Sequence, residues 1–464
     1  MASDNVVSMG RVAEQATPER NEECHETLCE KISAQLPGWR ERVRKLLKEN
    51  GETQVSGVTV DQIYGGLRGV ITQVSDISYV DPLEGLRLRG YTIPGLLEML
   101  PRAGSSCYPL AGGLYYLLMI DRMPTLSDAL QIESEWKARA EIPAYVIDML
   151  RAMPRDTHPM ALFSMAILAL EPQSVFPRRY GKGLPKPIWW QAILEDSLNL
   201  TAKLPALAGF IYNLKYRDGE LIAPDPNLDW SANFGHMIGR ENSLDFLDLC
   251  RLFFVLHCDH EGGNVSAHAA TLVGSGLSDV YYSCSAAMDG LAGPLHGLAN
   301  QDCLSWLLAL RREFHHFPTQ AELERYSWDA LQAGKVIPGY GHAVLRRTDP
   351  RFTALLAFGK QHTAEDELFK LVEMNYQVLP GILKQLGKVK NPYPNVDAVS
   401  GSLLFHYGLR EFDFYTVLFG VSRILGLTAN AVWSRALYRP IERPKSVTTA
   451  MLEDIVAGGS IDEE

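Results

Sequence analysis

The chain has 464 residues, 46% of them hydrophobic, and a formal net charge of −11 at pH 7. That length and apolar share support a large core, built as two domains or as one large domain with a lobe. The acidic balance excludes a general binder of nucleic acid or anionic membrane, since either needs a basic face. Any anionic substrate must therefore be met by locally placed arginines.

Seven cysteines, odd in number and without a C-x-x-C pair, read as free thiols in a reducing compartment. Residues 1–30 form a polar, acidic arm in which Arg11 and Arg20 stand against seven acids. This is neither the basic, acid-poor pattern of an organellar transit peptide nor the apolar run of a secretory signal. The C-terminus, Gly-Ser-Ile-Asp-Glu-Glu, is not a peroxisomal tail. The default expectation is a cytoplasmic protein, with a mitochondrial one open if a targeting segment is absent from this chain.

Trp39–Lys48 is a basic amphipathic stretch, most simply a solvated helix face. Between Ile77 and Gly90, Leu86 and Leu88 alternate with Arg87 and Arg89, the one convincing β pattern in the chain. From Thr92 onward the period is helical. Leu96–Leu100, Gly113–Ile120, Ser127–Ala138, Ala144–Met153 and His158–Leu170 carry apolar residues three and four apart, with prolines at the joints. Phe176–Ile188 is irregular and basic, a surface loop or a phosphate contact. The pattern predicts a mainly α fold.

Ser243–His257 opens with a capping serine and is apolar on nearly every side, which predicts a buried helix. It runs into His257-Cys-Asp-His-Glu-Gly-Gly-Asn-Val-Ser-Ala-His268. A metal site is one reading of this cluster. However, the spacing lacks the two histidines four apart that a zincin needs, and Gly262-Gly263 breaks the helix directly after the acids. The other reading is a polar turn that delivers His260 into a cleft.

In Leu291–Asp302, Gly293-Pro294 suggests a turn and then a helix start, which would put His296 in a first helical turn. The helix dipole would keep that imidazole neutral near pH 7, able to donate from one ring nitrogen to a developing enolate oxygen. A capping or core histidine is the plainer reading. Further on, Pro338, Gly339 and Gly341 make a close-approach loop before His342, without the spacing of a Walker or dinucleotide fingerprint. Asp397 ends a proline-rich approach to a helix, where an N-cap is the plain alternative. Tyr415–Tyr438 is long and apolar, but Arg423 in its middle argues against a membrane span. A buried arginine must meet an anion, either a core acid or a bound carboxylate.

Leu291–Asp302, Val336–Phe352, Asn391–Gly401, Tyr415–Gly426 and Glu442–Ser446 together resemble the citrate synthases of eukaryotic type, in order from about Gly65 to Val456. The resemblance implies an all-α homodimer. Its parts would be an N-terminal arm and first helix (1–60), a large helical domain (61–296 and 403–464) and a smaller mobile domain (297–402). It implies that His296 donates to the thioester carbonyl of an acyl-CoA, that Asp397 takes a proton from the adjacent carbon, and that His342 polarises the ketone of oxaloacetate. His260, Arg351 and Arg423 would hold the oxaloacetate carboxylates, with Arg443 supplied by the other subunit.

CoA would be met by Arg68, Lys186, Val336, Ile337, Gly339, Tyr340, Gly341, Arg346, Lys390 and Asn395. Lys186 stands where an arginine is expected. No metal or redox cofactor is implied, and the CoA thioester is a substrate.

One departure bears on the acyl group. After Asp397-Ala398 the resembling proteins carry His, whereas this chain has Val399. Ser402 and Phe405-His406 differ nearby as well. With Phe419, Val399 becomes a candidate for the acyl pocket. The expectation that follows is an enzyme using oxaloacetate with a longer acyl-CoA, giving an alkylcitrate, since each buried methylene adds up to about 0.8 kcal/mol. Ordinary citrate synthesis from acetyl-CoA, 2-methylcitrate synthesis from propionyl-CoA, and an inactive binder of CoA or oxaloacetate are the alternatives.

Overall fold

The computed structural model describes residues 26–102, 104 and 106–458; the expectations for residues 1–25, Cys24 among them, lie outside the described residues. Helix α1 (Glu26–Asn50) begins inside the stretch read as an arm, because Leu28, Ile32 and Leu36 recur at helical spacing and are buried. A capping box of Thr59 and Gln62 starts α2 (Val60–Tyr64). The β pattern becomes β1 (Ser78–Asp81), β2 (Gly85–Leu88) and β3 (Tyr91–Thr92), antiparallel in that order, with Ser78 opposite Leu88.

Leu86 and Leu88 are buried as alternation requires. Arg89, expected on the polar face, is buried too. Its Nε and Nη2 donate to the Leu118 carbonyl at 3.0 and 2.7 Å. A carbonyl near a helix's C-terminal end is where a buried guanidinium is best received, though burial still pulls its pKa down to about 10.

The predicted helices follow as α3 (Ile93–Met99), α4 (Ala111–Ile120), α5 (Leu126–Arg139), α6 (Ala144–Ala152) and α7 (Pro159–Ala169). Residues 176–188 are less irregular than expected, giving α8 (Phe176–Gly181) and a 3-10 turn at Lys186–Ile188. Then come α9 (Trp189–Tyr216), α10 (Trp230–Met237), α11 (Leu244–Leu256), α12 (Val265–Ser275) and α13 (Val280–Leu291). Ser243 caps α11 as expected, accepting from the Phe246 amide.

The core is organised on α9 and on α19 (Tyr415–Ala436), which lie against each other and against α7 and α13. By length and composition residues 412–436 could cross a membrane, but 83% of that apolar window is buried inside this fold. The second group is α14 (Ala299–Glu313), α15 (Gln320–Gln332), α16 (Pro350–His362), α17 (Glu367–Leu386) and α18 (Asp397–His406). Within it α14, α16 and α17 pack on α18, while α16 also reaches α3, α11 and β2. The expected lobe edge at residue 402 falls within α18, which continues to His406. Helix α20 (Thr449–Val456) closes the described chain. Cys107, Cys250, Cys258, Cys284 and Cys303 are free thiols.

Candidate active site

The turn between α11 and α12 is gripped from two sides. Glu261 adopts φ 51°, a left-handed conformation uncommon for a side-chain-bearing residue. Ser78 of β1 holds it there: its Oγ accepts from the Glu261 amide and donates to Asp259 Oδ2, both at 2.7 Å. On the other side, the Gly426 amide of α19 donates to the Cys258 carbonyl at 3.0 Å. A Cβ at Gly426 would lie 2.5 Å from the Cβ of Asp259, so glycine is required here for space. So held, the His260 ring lies 5.7 Å from that of His342, centroid to centroid.

Arg423, in mid α19, is 1% exposed. Its Nε donates to the His257 carbonyl at 3.4 Å, and its Nη1 donates to Asn264 Oδ1 and Ser266 Oγ, each at 3.1 Å. Phe419, one turn earlier, underlies the guanidinium at 4.8 Å. Among the described residues no carboxylate comes within ion-pair distance of Arg423, and Nη2 takes no protein acceptor. Burial, opposed by the field of Asp259, draws its pKa down to about 10. Of the two anions the sequence allows, the core acid does not pair with it.

His296 lies in a turn, not a helix. Its amide donates to the Gly293 carbonyl, and α14 begins only at Ala299. Pro294 therefore occupies the turn instead of a first helical position. The imidazole is neutral for another reason: burial, reinforced by the charge of Arg423, lowers its pKa to about 4. The Ser266 amide donates to Nε2 at 3.3 Å, which assigns the lone pair to Nε2 and the proton to Nδ1. Ser266 Oγ, which accepts from Arg423 and donates to Asn264 Oδ1 at 2.7 Å, lies 3.0 Å from the same Nε2.

His342 is fixed in the opposite sense. The amides of Val344 and Leu345 donate to its Nδ1 at 3.0 Å each, leaving Nε2 as the protonated nitrogen. Burial and the charge of Arg351 keep its pKa below the usual histidine value. The loop carrying it is tied to the approach to α18. The Asn395 amide donates to the Gly339 carbonyl at 2.9 Å, and Tyr340 bridges Pro394. Gly339 has φ 79°, and a Cβ there would meet Cys303 Sγ at 2.6 Å.

Arg351 differs from Arg423. Asp349, the cap of α16, accepts from its Nη2 at 2.7 Å, and both residues are buried. Asp397 is the first residue of α18 and not its cap, which is Val396. Among the described residues its carboxylate takes no hydrogen bond; burial raises its pKa to about 6 against the fields of Arg351 and Arg423.

The structure groups Val336, Ile337, Gly339, Tyr340, Gly341, Arg346 and Asn395 on this one loop assembly, with Val336 82% exposed. Arg346 donates to the carbonyls of Ala343, Val344 and Leu345, and Lys390 is exposed close by in sequence. Arg68 and Lys186 are exposed on other segments, and no hydrogen bond or ion pair joins them to the loop; Lys186 lies over the rings of Trp189 and Tyr438. Arg443 is exposed on the C-terminal segment.

Val399 is fully buried, and two residues along a helix turn it about 200° from Asp397. The positions that share the Asp397 face are Ser400 and Gly401. Sequence reading missed Ser78, Asn264, Ser266 and Asp349. Of these, Asn264 and Asp349 carry a recognisable helix-cap signal.

Two imidazoles with assigned donor nitrogens, a desolvated carboxyl and an unneutralised guanidinium, coupled through the charges of Arg351 and Arg423, are suited to enolising a carbonyl compound beside a bound carboxylate. Residues 66–445 match the family model described as citrate synthase, C-terminal domain. The mitochondrial citrate synthase of Xiphias gladius is 48% identical over 443 residues, covering 95% of this chain and 94% of that one. That of Saccharomyces cerevisiae is 47% identical over 431 residues, covering 93% and 90%. The citrate synthase structure from Pyrobaculum aerophilum superposes with a TM-score of 0.72 at 27% identity, covering 83% of this chain and 92% of that one.

The chain belongs to the citrate synthase family, with its all-α fold. The family calls for no cofactor beyond the CoA thioester, which is a substrate. These relatives are named as mitochondrial, so the cytoplasmic expectation drawn from the acidic N-terminal stretch finds no support in them.

Proposed function

We propose that this chain condenses oxaloacetate with acetyl-CoA and hydrolyses the resulting thioester, giving citrate and CoA. The observation that carries the reading is Arg423, a buried guanidinium with no carboxylate of its own, beside His260 and His342. A charge in that setting costs several kcal/mol unless an anion joins it, and an oxaloacetate carboxylate is such an anion. In this reading His260, Arg351 and Arg443 of a second copy complete the grip on the diacid, and residues 297–402 act as a lobe that closes over it.

Asp397 then removes a proton from the methyl carbon of acetyl-CoA while His296 Nδ1–H donates to the thioester oxygen, stabilising the enolate without a full negative charge. The enolate carbon attacks the ketone carbon of oxaloacetate. His342 Nε2–H donates to the ketone oxygen as it becomes alkoxide, and water cleaves the thioester. The loop at 336–341 with Arg346, Lys390 and Asn395 would receive CoA, with Arg68 and Lys186 reaching its phosphates. A mitochondrial location accompanies this reading, by likeness to the relatives.

The alkylcitrate expectation rested on Val399 widening an acyl pocket. Val399 is fully buried about 200° around α18 from Asp397, which argues against its shaping the space beside the base and so against a long-chain preference. Thiol release and product mass across a series of acyl-CoAs from two carbons upward, with oxaloacetate, test the proposal. Acetyl-CoA is expected to give the highest kcat/KM. A maximum at six carbons or more would overturn the acetyl reading, and no thiol release with any member would leave only a binder.

A further inference from the structure

A second arginine of α19 lacks a partner. Arg435, in the last turn, is 8% exposed. Among the described residues no hydrogen-bond acceptor, carboxylate or aromatic ring engages it. Its neighbour Arg439 is attended, donating to the Val74 carbonyl at 2.7 Å with Asp76 4.0 Å away. Arg435 instead lines two adjoining cavities together with Thr271 and Ser434: one of about 220 Å³ that also holds Ser275, Arg439 and Glu442, and a smaller one of about 30 Å³.

Among the described residues, the titratable neighbour that acts on Arg435 is Arg439, and it repels; burial and this like charge both push its pKa down. The macrodipole favours a cation in the last turn of a helix, but by less than the cost of burying an unpaired charge. The acid in the larger cavity, Glu442, faces His268 at 3.5 Å.

We propose that the cavity under Arg435 binds a small oxyanion of phosphate or carboxylate type, with the Arg435 guanidinium as its main donor and the hydroxyls of Thr271 and Ser434 beside it. The site is distinct from the catalytic cleft. Arg435 lies twelve residues beyond Arg423 on the same helix, about 18 Å along its axis. The inference does not rest on the acetyl-CoA reading.

Inorganic phosphate titrated calorimetrically into the full-length protein tests it, at constant ionic strength held with chloride, beside Arg435→Met and Arg435→Lys. Anion binding at the catalytic arginines is common to all three proteins, so the difference between titrations isolates this site. The expected result is one additional phosphate per chain in the parent protein. Its affinity should fall at least tenfold in Arg435→Met and be partly retained in Arg435→Lys. In phosphate-free buffer Arg435→Met should melt no lower than the parent, because it removes an unpaired charge. Identical titrations for parent and Arg435→Met would overturn the proposal. So would a fall in Tm or in oligomer size for Arg435→Met in phosphate-free buffer, which would mean that a protein carboxylate from a second copy already fills the site.

Discussion

Arg351 and Arg423 are both buried at the same cleft, yet they solve the problem of a buried charge in opposite ways. Arg351 carries its own counter-ion, Asp349, two residues before it on the same helix end. Arg423 has only neutral acceptors and a phenyl ring beneath it. One arginine is neutralised by the fold and the other awaits neutralisation from outside. Removing the first should damage the protein, and removing the second should damage only what the protein binds.

The largest effect is expected at the base that both arginines face. Asp397→Ala should lower kcat by about 10²–10⁴ with oxaloacetate binding retained, measured by thiol release and by calorimetry. Arg351→Met leaves Asp349 buried without its counter-ion and should cost about 3–5 kcal/mol of stability in denaturant unfolding. Arg423→Met should fold as well as the parent while raising KM for oxaloacetate about 10–100-fold. Equal loss of stability in the two arginine variants would break the comparison.

Asp397 must be ionised to act, and its pKa lies near 6, so kcat should fall toward tenfold per pH unit below pH 6. His296, lowered to about 4, is already neutral there and should add no inflection between pH 6 and 8. The smallest effect is on stability. The folded pKa of Asp397 lies above its ordinary 3.8, so its protonated form favours the folded state, and that contribution is lost as pH rises through 6. Asp397→Asn, neutral at every pH, should therefore melt a few degrees above the parent at pH 8 and no higher at pH 4.

What could be read from the chain alone follows the range of the forces involved. Local signals held: Ser243 caps its helix and the prolines mark the joints. His296 came out neutral, but the dipole argument for it failed because Pro294 sits in a turn; burial, reinforced by the charge of Arg423, acts in its place. That charge lies 127 residues away in sequence, beyond any periodicity. Ser78 holding the turn at Glu261 is likewise a contact across 183 residues. Val399 is different: helical phase alone separates it from Asp397, and that was available in the sequence once α18 was assigned.

Gly426 carries no reactive atom, yet the space around it leaves no room for a side chain. A single methyl there would push on Asp259 and Cys258, and through them on both His260 and the turn that Arg423 leans against. The geometry of the catalytic turn thus depends on a residue with no chemistry of its own. A search for variants with altered acid preference would do best to leave that contact untouched and vary the cleft's rim.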